Sequence, residues 1–256
     1  MGAVPLLLDW DRPSLLFLVL ATMVLAYAVF SLVGFGSALL ASPPLAAVMP
    51  VAQVIPLLAT LDCVGATSRG FRAYRSVDRN ALGHLLPSML VGQVAGVVAL
   101  AWLPVKIMAV LLGAFIVIQG LRGLRPQRAG VSQWMHRPYA ALGFGLFGGL
   151  LGGLFGSGGF VYASYLERRL ADREAFRATQ AVLIALSTAW RVILCSLAGL
   201  VDPALLGTAI ILWPAAYAGL WLGRHLDIRL SREQLFVLLN CLLVLSGGAL
   251  MLRYLG

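Results

Sequence analysis

Of 256 residues, 61% are apolar and only 11% are charged, against roughly 25% charged in a soluble domain. One soluble core cannot hide that much apolar surface, so lipid must solvate most of it. The net charge of +9 therefore belongs to short loops between membrane segments, and no nucleic-acid partner is expected. Cys63, Cys195 and Cys241 lie far apart inside apolar runs and read as small hydrophobes. They form neither a zinc pattern nor a disulfide framework, and no cofactor or metal is expected.

The first apolar run could be mistaken for a signal peptide. Leu15 to Leu25 forms an apolar core, and Ala26-Tyr27-Ala28 mimics a cleavage site. The preceding stretch, however, carries Asp9, Asp11 and Arg12 instead of a basic n-region, and the apolar run continues to Val33; it is read as the first membrane helix. A spanning helix needs roughly 20 apolar residues. Long segments follow in chain order at about 14–33, 51–68, 81–101, 105–121, 139–155, 177–200, 203–223 and 234–252. Two stretches, 37–49 and 158–168, are too short to span upright, and each follows a glycine-rich break: Gly34-Phe35-Gly36-Ser37 and Gly156-Ser157-Gly158-Gly159. Pro43, Pro44, Pro50 and Pro56 cluster around the first short segment and are expected to limit helix continuity there. Trp10, Trp102 and Trp134 sit near segment ends, where interfacial anchors belong.

The order of segments repeats: a long helix, a glycine break, a short helix, then three long helices, once in 14–121 and again in 139–252. Residues 122–138 form a basic linker. The expected fold is an all-α polytopic membrane protein of two repeats within a single transmembrane domain spanning 1–256. The basic residues set the orientation. Of the 19 Lys and Arg, 15 fall in four segments, 69–79, 122–137, 168–177 and 224–232. Arg12, Lys106 and Arg253 flank other helix ends, and Arg191 lies inside a helix. If both short segments cross or return through the membrane, all four rich segments share one side, as the positive-inside rule requires of cytoplasmic loops. The count is then five segments per repeat, an odd number, so the repeats are inverted and both termini lie outside.

Inverted repeats interrupted at matching positions point to a secondary transporter. Backbone that leaves the helical ladder at membrane depth must line a polar cavity or be buried in protein. The short helix after such a break offers free N–H groups and the positive end of its dipole, and glycine lets a ligand approach closely. Two such ends meeting near the midplane, with Ser37 and Ser157 as added donors, make a site for a small oxyanion. The other glycines of the second half, Gly143, Gly145, Gly148, Gly149, Gly152 and Gly153, read instead as close helix packing.

Arg191 lies mid-segment, where insertion costs roughly 2.5–3.5 kcal/mol. Its functional reading is the counter-charge for an anionic substrate; the bland one is a structural pair. Asp62 is the one acidic residue well inside an apolar run. It could pair with Arg191, carry a coupling proton, or cap a break. Gln53 and Gln180 hold matching places after the short segments and are read as amide donors to an oxyanion or as helix–helix hydrogen bonders. Arg177, at the mouth of the Gln180 helix, reads as a loop charge or a gate contact. Gln93 and Gln119 read as packing glue.

The runs GFGSALLASPPL (34–45) and GLFGSGGFVYASYL (153–166) resemble the sulfite exporter TauE/SafE family, bacterial and plant membrane transporters built from two related halves. The resemblance covers essentially the whole chain. It implies a bacterial inner-membrane location and transport, usually export, of sulfite or an organosulfonate such as sulfoacetate. It carries Gly34, Gly36, Gly156, Gly158 and Gly159 over as binding-region residues. Phe35 and Ser37 interrupt the family's denser glycine run, and Ser164-Tyr165 stands where a proline is usual. Another small anion such as a carboxylate, a passive channel, and an intramembrane serine hydrolase built on the Gly156–Gly159 loop are the rival readings. The expected partners are the small anionic substrate and the lipid bilayer; a homo-oligomer is left open.

Overall fold

The computed structural model describes residues 13–33, 36–124, 137–225 and 232–255. Among them the chain forms ten α-helices and no strand: α1 (Pro13–Val33), α2 (Ser37–Val48), α3 (Val51–Ala73), α4 (Arg79–Trp102), α5 (Val105–Gly123), α6 (Pro138–Phe155), α7 (Gly159–Arg169), α8 (Arg173–Leu197), α9 (Pro203–His225) and α10 (Arg232–Leu255). A 3-10 turn, Tyr74–Ser76, joins α3 to α4. The all-α membrane architecture read from the sequence is therefore the observed one. Eight helices are long, and α2 and α7 have 12 and 11 residues. At about 1.5 Å per residue each of these two spans only about half of a hydrocarbon core. By length and composition α4, α5, α8 and α9 can each cross a membrane within the described residues.

The surface is inverted relative to a soluble protein. Phe17, Leu197, Ile210, Leu245 and Leu252 are largely exposed, while Asp62, Gln93, Ser187, Thr188 and Arg191 are buried. α8 shows this most clearly: Gln180, Ser187, Thr188 and Arg191 recur at helical spacing on a buried face, and Leu186, Ile193 and Leu197 lie on the exposed one. Lipid rather than water must be the solvent of that outer face.

The helices pair across the two halves. α4 packs on α6 and α1 on α9; α3 packs on α8 and α5 on α10. Exchanging α1–α5 with α6–α10 in order turns the first pair into the second and leaves the third and fourth unchanged. The flanking contacts α3–α9 and α4–α8 exchange in the same way, as do α1–α2 and α6–α7. Glycine makes the closest approaches. A Cβ on Gly149 would sit 2.3 Å from Met89 O, and one on Gly153 2.7 Å from Gln93 O, both on α4. Across α1–α9, a Cβ on Gly219 would sit 2.3 Å from Val24 O. The packing reading thus suits Gly145, Gly149 and Gly153. It suits Gly148 too, where a Cβ would sit 2.3 Å from the Tyr162 ring of α7. It does not suit Gly143, where a Cβ would meet nothing within 4 Å, and at Gly152 a Cβ would meet Tyr162 and Gln93 only at ordinary contact distance.

The arginines expected in loops at 69–79 and 168–177 sit mostly on helix ends. Arg69 and Arg72 belong to α3, Arg168 and Arg169 to α7, and Arg173 and Arg177 to α8. Arginine is a good helix former, and its long stem reaches the interface from a helix end. Asp78 and Asp172 then start the next helices, accepting hydrogen bonds from Ala81 N at 2.7 Å and from Glu174 N and Ala175 N at 3.1 Å. These two basic segments occupy one end of the bundle and touch: Ser76 Oγ donates to Glu174 Oε1 (2.8 Å), and Asp78 N donates to Thr179 Oγ1 (2.9 Å). Arg253 lies at the opposite end, where its guanidinium donates to Ala46 O. Residues 125–136 and 226–231, which hold most of the other two basic segments, are outside the described residues, as are Trp10 and Trp134.

Candidate functional site

Each break contains a glycine in a backbone geometry that other residues resist. Gly36, just before α2, has φ 99°, and Gly156, which ends α6, has φ 69°. Gly156 also closes its helix, its N–H donating to Gly152 O at 3.0 Å. A Cβ there would lie 2.8 Å from Arg191 Nη1 and 2.9 Å from Ala38 Cβ. The second break therefore touches both the first turn of α2 and the arginine of α8. Gly34 and Phe35 lie outside the described residues.

The expectation that prolines interrupt the first short segment needs correction. Pro43 and Pro44 lie within α2, which runs unbroken from Ser37 to Val48, and Pro56 lies within α3. Pro50 alone marks a boundary, as the residue before α3. Two consecutive prolines only remove N–H donors from the second half of a short helix, so the loss at Leu39 O and Leu40 O is tolerated inside protein. Ser42 Oγ bonds Ala38 O in the same stretch.

The two breaks enclose a cavity of about 20 Å³, room for about one water. Gly36, Ser37 and Asp62 line it from the first half, and Gly156, Gly158, Gly159 and Arg191 from the second. Tyr162, Ser187 and Thr188 complete its polar wall, with Phe30 on one side. The first turns of α2 and α7 both face this space, so N–H groups outside the helical ladders border it from two directions. As it stands the cavity is too small for a sulfur oxyanion.

Asp62 and Arg191, both at least 96% buried at the side chain, face one another across the two halves with Arg191 Nη2 3.6 Å from Asp62 Oδ2. That is an ion pair but too long for a hydrogen bond. The other carboxylate oxygen, Oδ1, accepts from Tyr27 Oη (2.8 Å) and Ser37 Oγ (2.9 Å). Arg191 Nη1 donates to Gly152 O (3.0 Å), while its Nε is buried without a partner. The Nε–Nη2 side, the fork on which guanidinium holds an oxyanion with two parallel bonds, is thus the side left weakly engaged.

The remaining sequence candidates fall elsewhere. Ser157 is buried, but its hydroxyl donates to Phe155 O (3.1 Å) and it does not line the cavity. Gln53 and Gln180 do not line it either. Each has one buried amide atom without a partner, Oε1 in Gln53 and Nε2 in Gln180. Gln180 shares the buried face of α8 with Arg191, three turns before it. Arg177 is exposed near the start of α8. Gln93 does more than glue helices at random: its Nε2 donates to Ser187 O (2.9 Å), tying α4 to the wall of the cavity. No described histidine lines the cavity. His84 and His225 are exposed, bonding to Asn80 O and Trp221 O one turn back.

Tyr27, Tyr162, Ser187 and Thr188 belong to the site and were not singled out from the sequence. A lone tyrosine or hydroxyl in an apolar helix is ordinary, because hydroxyls there usually bond their own backbone. The available signal was spacing: Ser187, Thr188 and Arg191 lie three and four residues apart, hence on one face.

A family model described as sulfite exporter TauE/SafE matches residues 19–250. Over 198 residues the chain is 29% identical to a protein of Comamonas testosteroni described as "Probable inner membrane transporter protein TsaS"; the match covers 76% of this chain and 81% of that one. No solved structure matches the chain.

Proposed function

The chain belongs to the sulfite exporter TauE/SafE family, membrane transporters by description, and from that premise we propose that it carries a small sulfur oxyanion, sulfite or an organosulfonate such as sulfoacetate, by alternating access. The transporter is multi-pass in a bacterial inner membrane, with its basic segments in the cytoplasm and both termini outside. Its two halves, 14–121 and 139–252, are inverted repeats; the exchange symmetry of the helix pairings supports this. The observation that carries the reading is the Arg191 guanidinium, which lines the cavity at the meeting of the two breaks with Nε unpartnered and Nη2 held only by Asp62 at 3.6 Å. A trigonal or tetrahedral oxyanion there would take two N–H bonds from Arg191 and further donors from the first turns of α2 and α7 and from Ser37 and Thr188. The closed cavity favours a carrier over an open pore, since access must come from movement of one part against another. Gly36, Gly156, Gly158 and Gly159 keep backbone close to the ligand; Gln180 and Arg177 belong to the approach along α8.

The test is counterflow in proteoliposomes. Vesicles preloaded with unlabelled sulfite or ethanesulfonate should transiently concentrate the labelled anion, which a passive channel does not do. Arg191→Gln alone is an impure probe, because it strands the buried Asp62 charge, a defect worth about 3–5 kcal/mol. Arg191→Lys keeps the charge and loses the fork; it should weaken anion binding at least tenfold while the protein remains folded. The double variant Asp62→Asn/Arg191→Gln should fold and fail to bind. If neither sulfur oxyanion exchanges, and a cation or neutral solute does, the reading is wrong.

A further inference from the structure

Anion capture by Arg191 leaves a charge imbalance that the geometry can resolve in one way. In the closed cavity Arg191 is already neutralised by Asp62, and its Nη1 is committed to Gly152 O. A monoanion that takes the Nε–Nη2 fork must displace Asp62 Oδ2 from Nη2. The site, opened enough to admit the anion, would then hold two negative charges and one positive inside the protein, at a cavity that when empty has room for about one water. Like charges so placed in a poorly hydrated interior cannot both persist, and one takes a proton.

Asp62 is the group positioned to take it. Tyr27 (α1) and Ser37 (α2) reach Oδ1 with hydroxyls, which can donate to a carboxylate or accept from a carboxylic acid. α8 presents Arg191 and, a turn further, Cys195; α7 presents Tyr162. On α3 itself the next cation, Arg69, lies two turns on, donating to Phe30 O and stacked over the Phe30 ring at 3.9 Å. The ionisable groups that the other packed elements bring, Tyr74, Arg75, Lys106, Arg122, Tyr217, Arg224 and His225, together with Arg72 on α3 and Arg173, Glu174 and Arg177 on α8, are exposed. Arg69 is the other described cation whose charge reaches Asp62; it stays held at Phe30 and does not take the place of Arg191 against the carboxylate.

We propose that the transporter moves one proton with each monoanion, the proton riding on Asp62. This rests on the anion site described above. On loading, the sulfonate oxygens bond Arg191, and the freed Asp62 carboxylate takes a proton from the open side. On unloading, the anion leaves, Arg191 returns to Asp62, and the proton is released to the other side. The empty site (Arg⁺, Asp⁻) and the loaded site (Arg⁺, AspH, anion⁻) are both neutral. Membrane potential then does no work on the moving site, and the pH gradient does.

Ethanesulfonate is the probe, because it is the anion of a strong acid and carries no proton of its own at neutral pH. Proteoliposomes containing the full chain and a trapped pH dye receive an inward ethanesulfonate gradient. The expected result is lumenal acidification at about one proton per anion, at a rate unchanged when a potassium–valinomycin clamp sets the potential. Anion affinity should fall by up to tenfold per pH unit as pH rises. In Asp62→Asn that pH slope should vanish, whatever its absolute affinity. Ethanesulfonate exchange with no proton movement, or uptake driven by the imposed potential, overturns the coupling while leaving the anion site standing. Failure of ethanesulfonate to exchange at all removes the site and the coupling with it. The wild-type stoichiometry decides the matter even if Asp62→Asn does not fold.

Discussion

Tyr27 and Ser37 reach the same carboxylate oxygen of Asp62 from two different helices. Hydrogen bonds to a charged group contribute about 1.5–3 kcal/mol each, so removing either hydroxyl leaves a buried carboxylate short of a donor. Tyr27→Phe and Ser37→Ala should each lower the melting temperature by several degrees in detergent. Ser157→Ala should cost much less, since that hydroxyl serves only the carbonyl of Phe155. Equal losses at all three positions would contradict the assigned network. At this scale the sequence was informative where a residue was out of place. Asp62 and Arg191 stand out in apolar runs, and pairing was one of the readings they allowed. Tyr27, Tyr162 and Thr188 do not stand out, because amphipathic side chains are common in membrane helices and only the fold shows which of them meet. Matching position alone did not bring Ser157, Gln53 and Gln180 into the lining of the cavity, because equivalent places in two half-sequences need not point side chains into one space.

At the scale of elements, glycine does two separate jobs. Gly36 and Gly156 supply left-handed backbone where α2 begins and α6 ends. Gly149 and Gly153 supply only absence of a side chain, where α6 lies against the backbone of α4. Gly149→Ala would place a Cβ 2.3 Å from Met89 O, an overlap no rotamer relieves, and should destabilise by about 1–3 kcal/mol or more. Gly143→Ala on the same helix meets open space and should be neutral. Thermal stability of the two variants by size-exclusion profile checks this; similar behaviour would contradict the packing. The glycine breaks were legible because both function and membrane physics require irregular backbone to sit beside a cavity. The prolines were not, because their effect depends on whether the freed carbonyls are buried in protein, as around Pro43 and Pro44, or face lipid.

Over the whole molecule, the distribution of arginine revealed more than hydrophobicity did. Counting both short segments brought the rich segments to one side, and the contact of Ser76 with Glu174 and of Asp78 with Thr179 places two of them together. Helix pairing could not be read in advance: glycines are spread over most segments, and which two helices approach closely is a property of the assembled bundle. The central claim is that a small oxyanion binds where the two halves meet. It is tested most directly by placing one reporter in each half, Ser37→Cys on α2 and Thr188→Cys on α8, in a background with Cys63, Cys195 and Cys241 replaced. Alkylation by N-ethylmaleimide is followed while ethanesulfonate is titrated. Protection of both cysteines with one shared half-maximal concentration is the predicted result; protection of neither, or of one alone, would contradict a site between the halves.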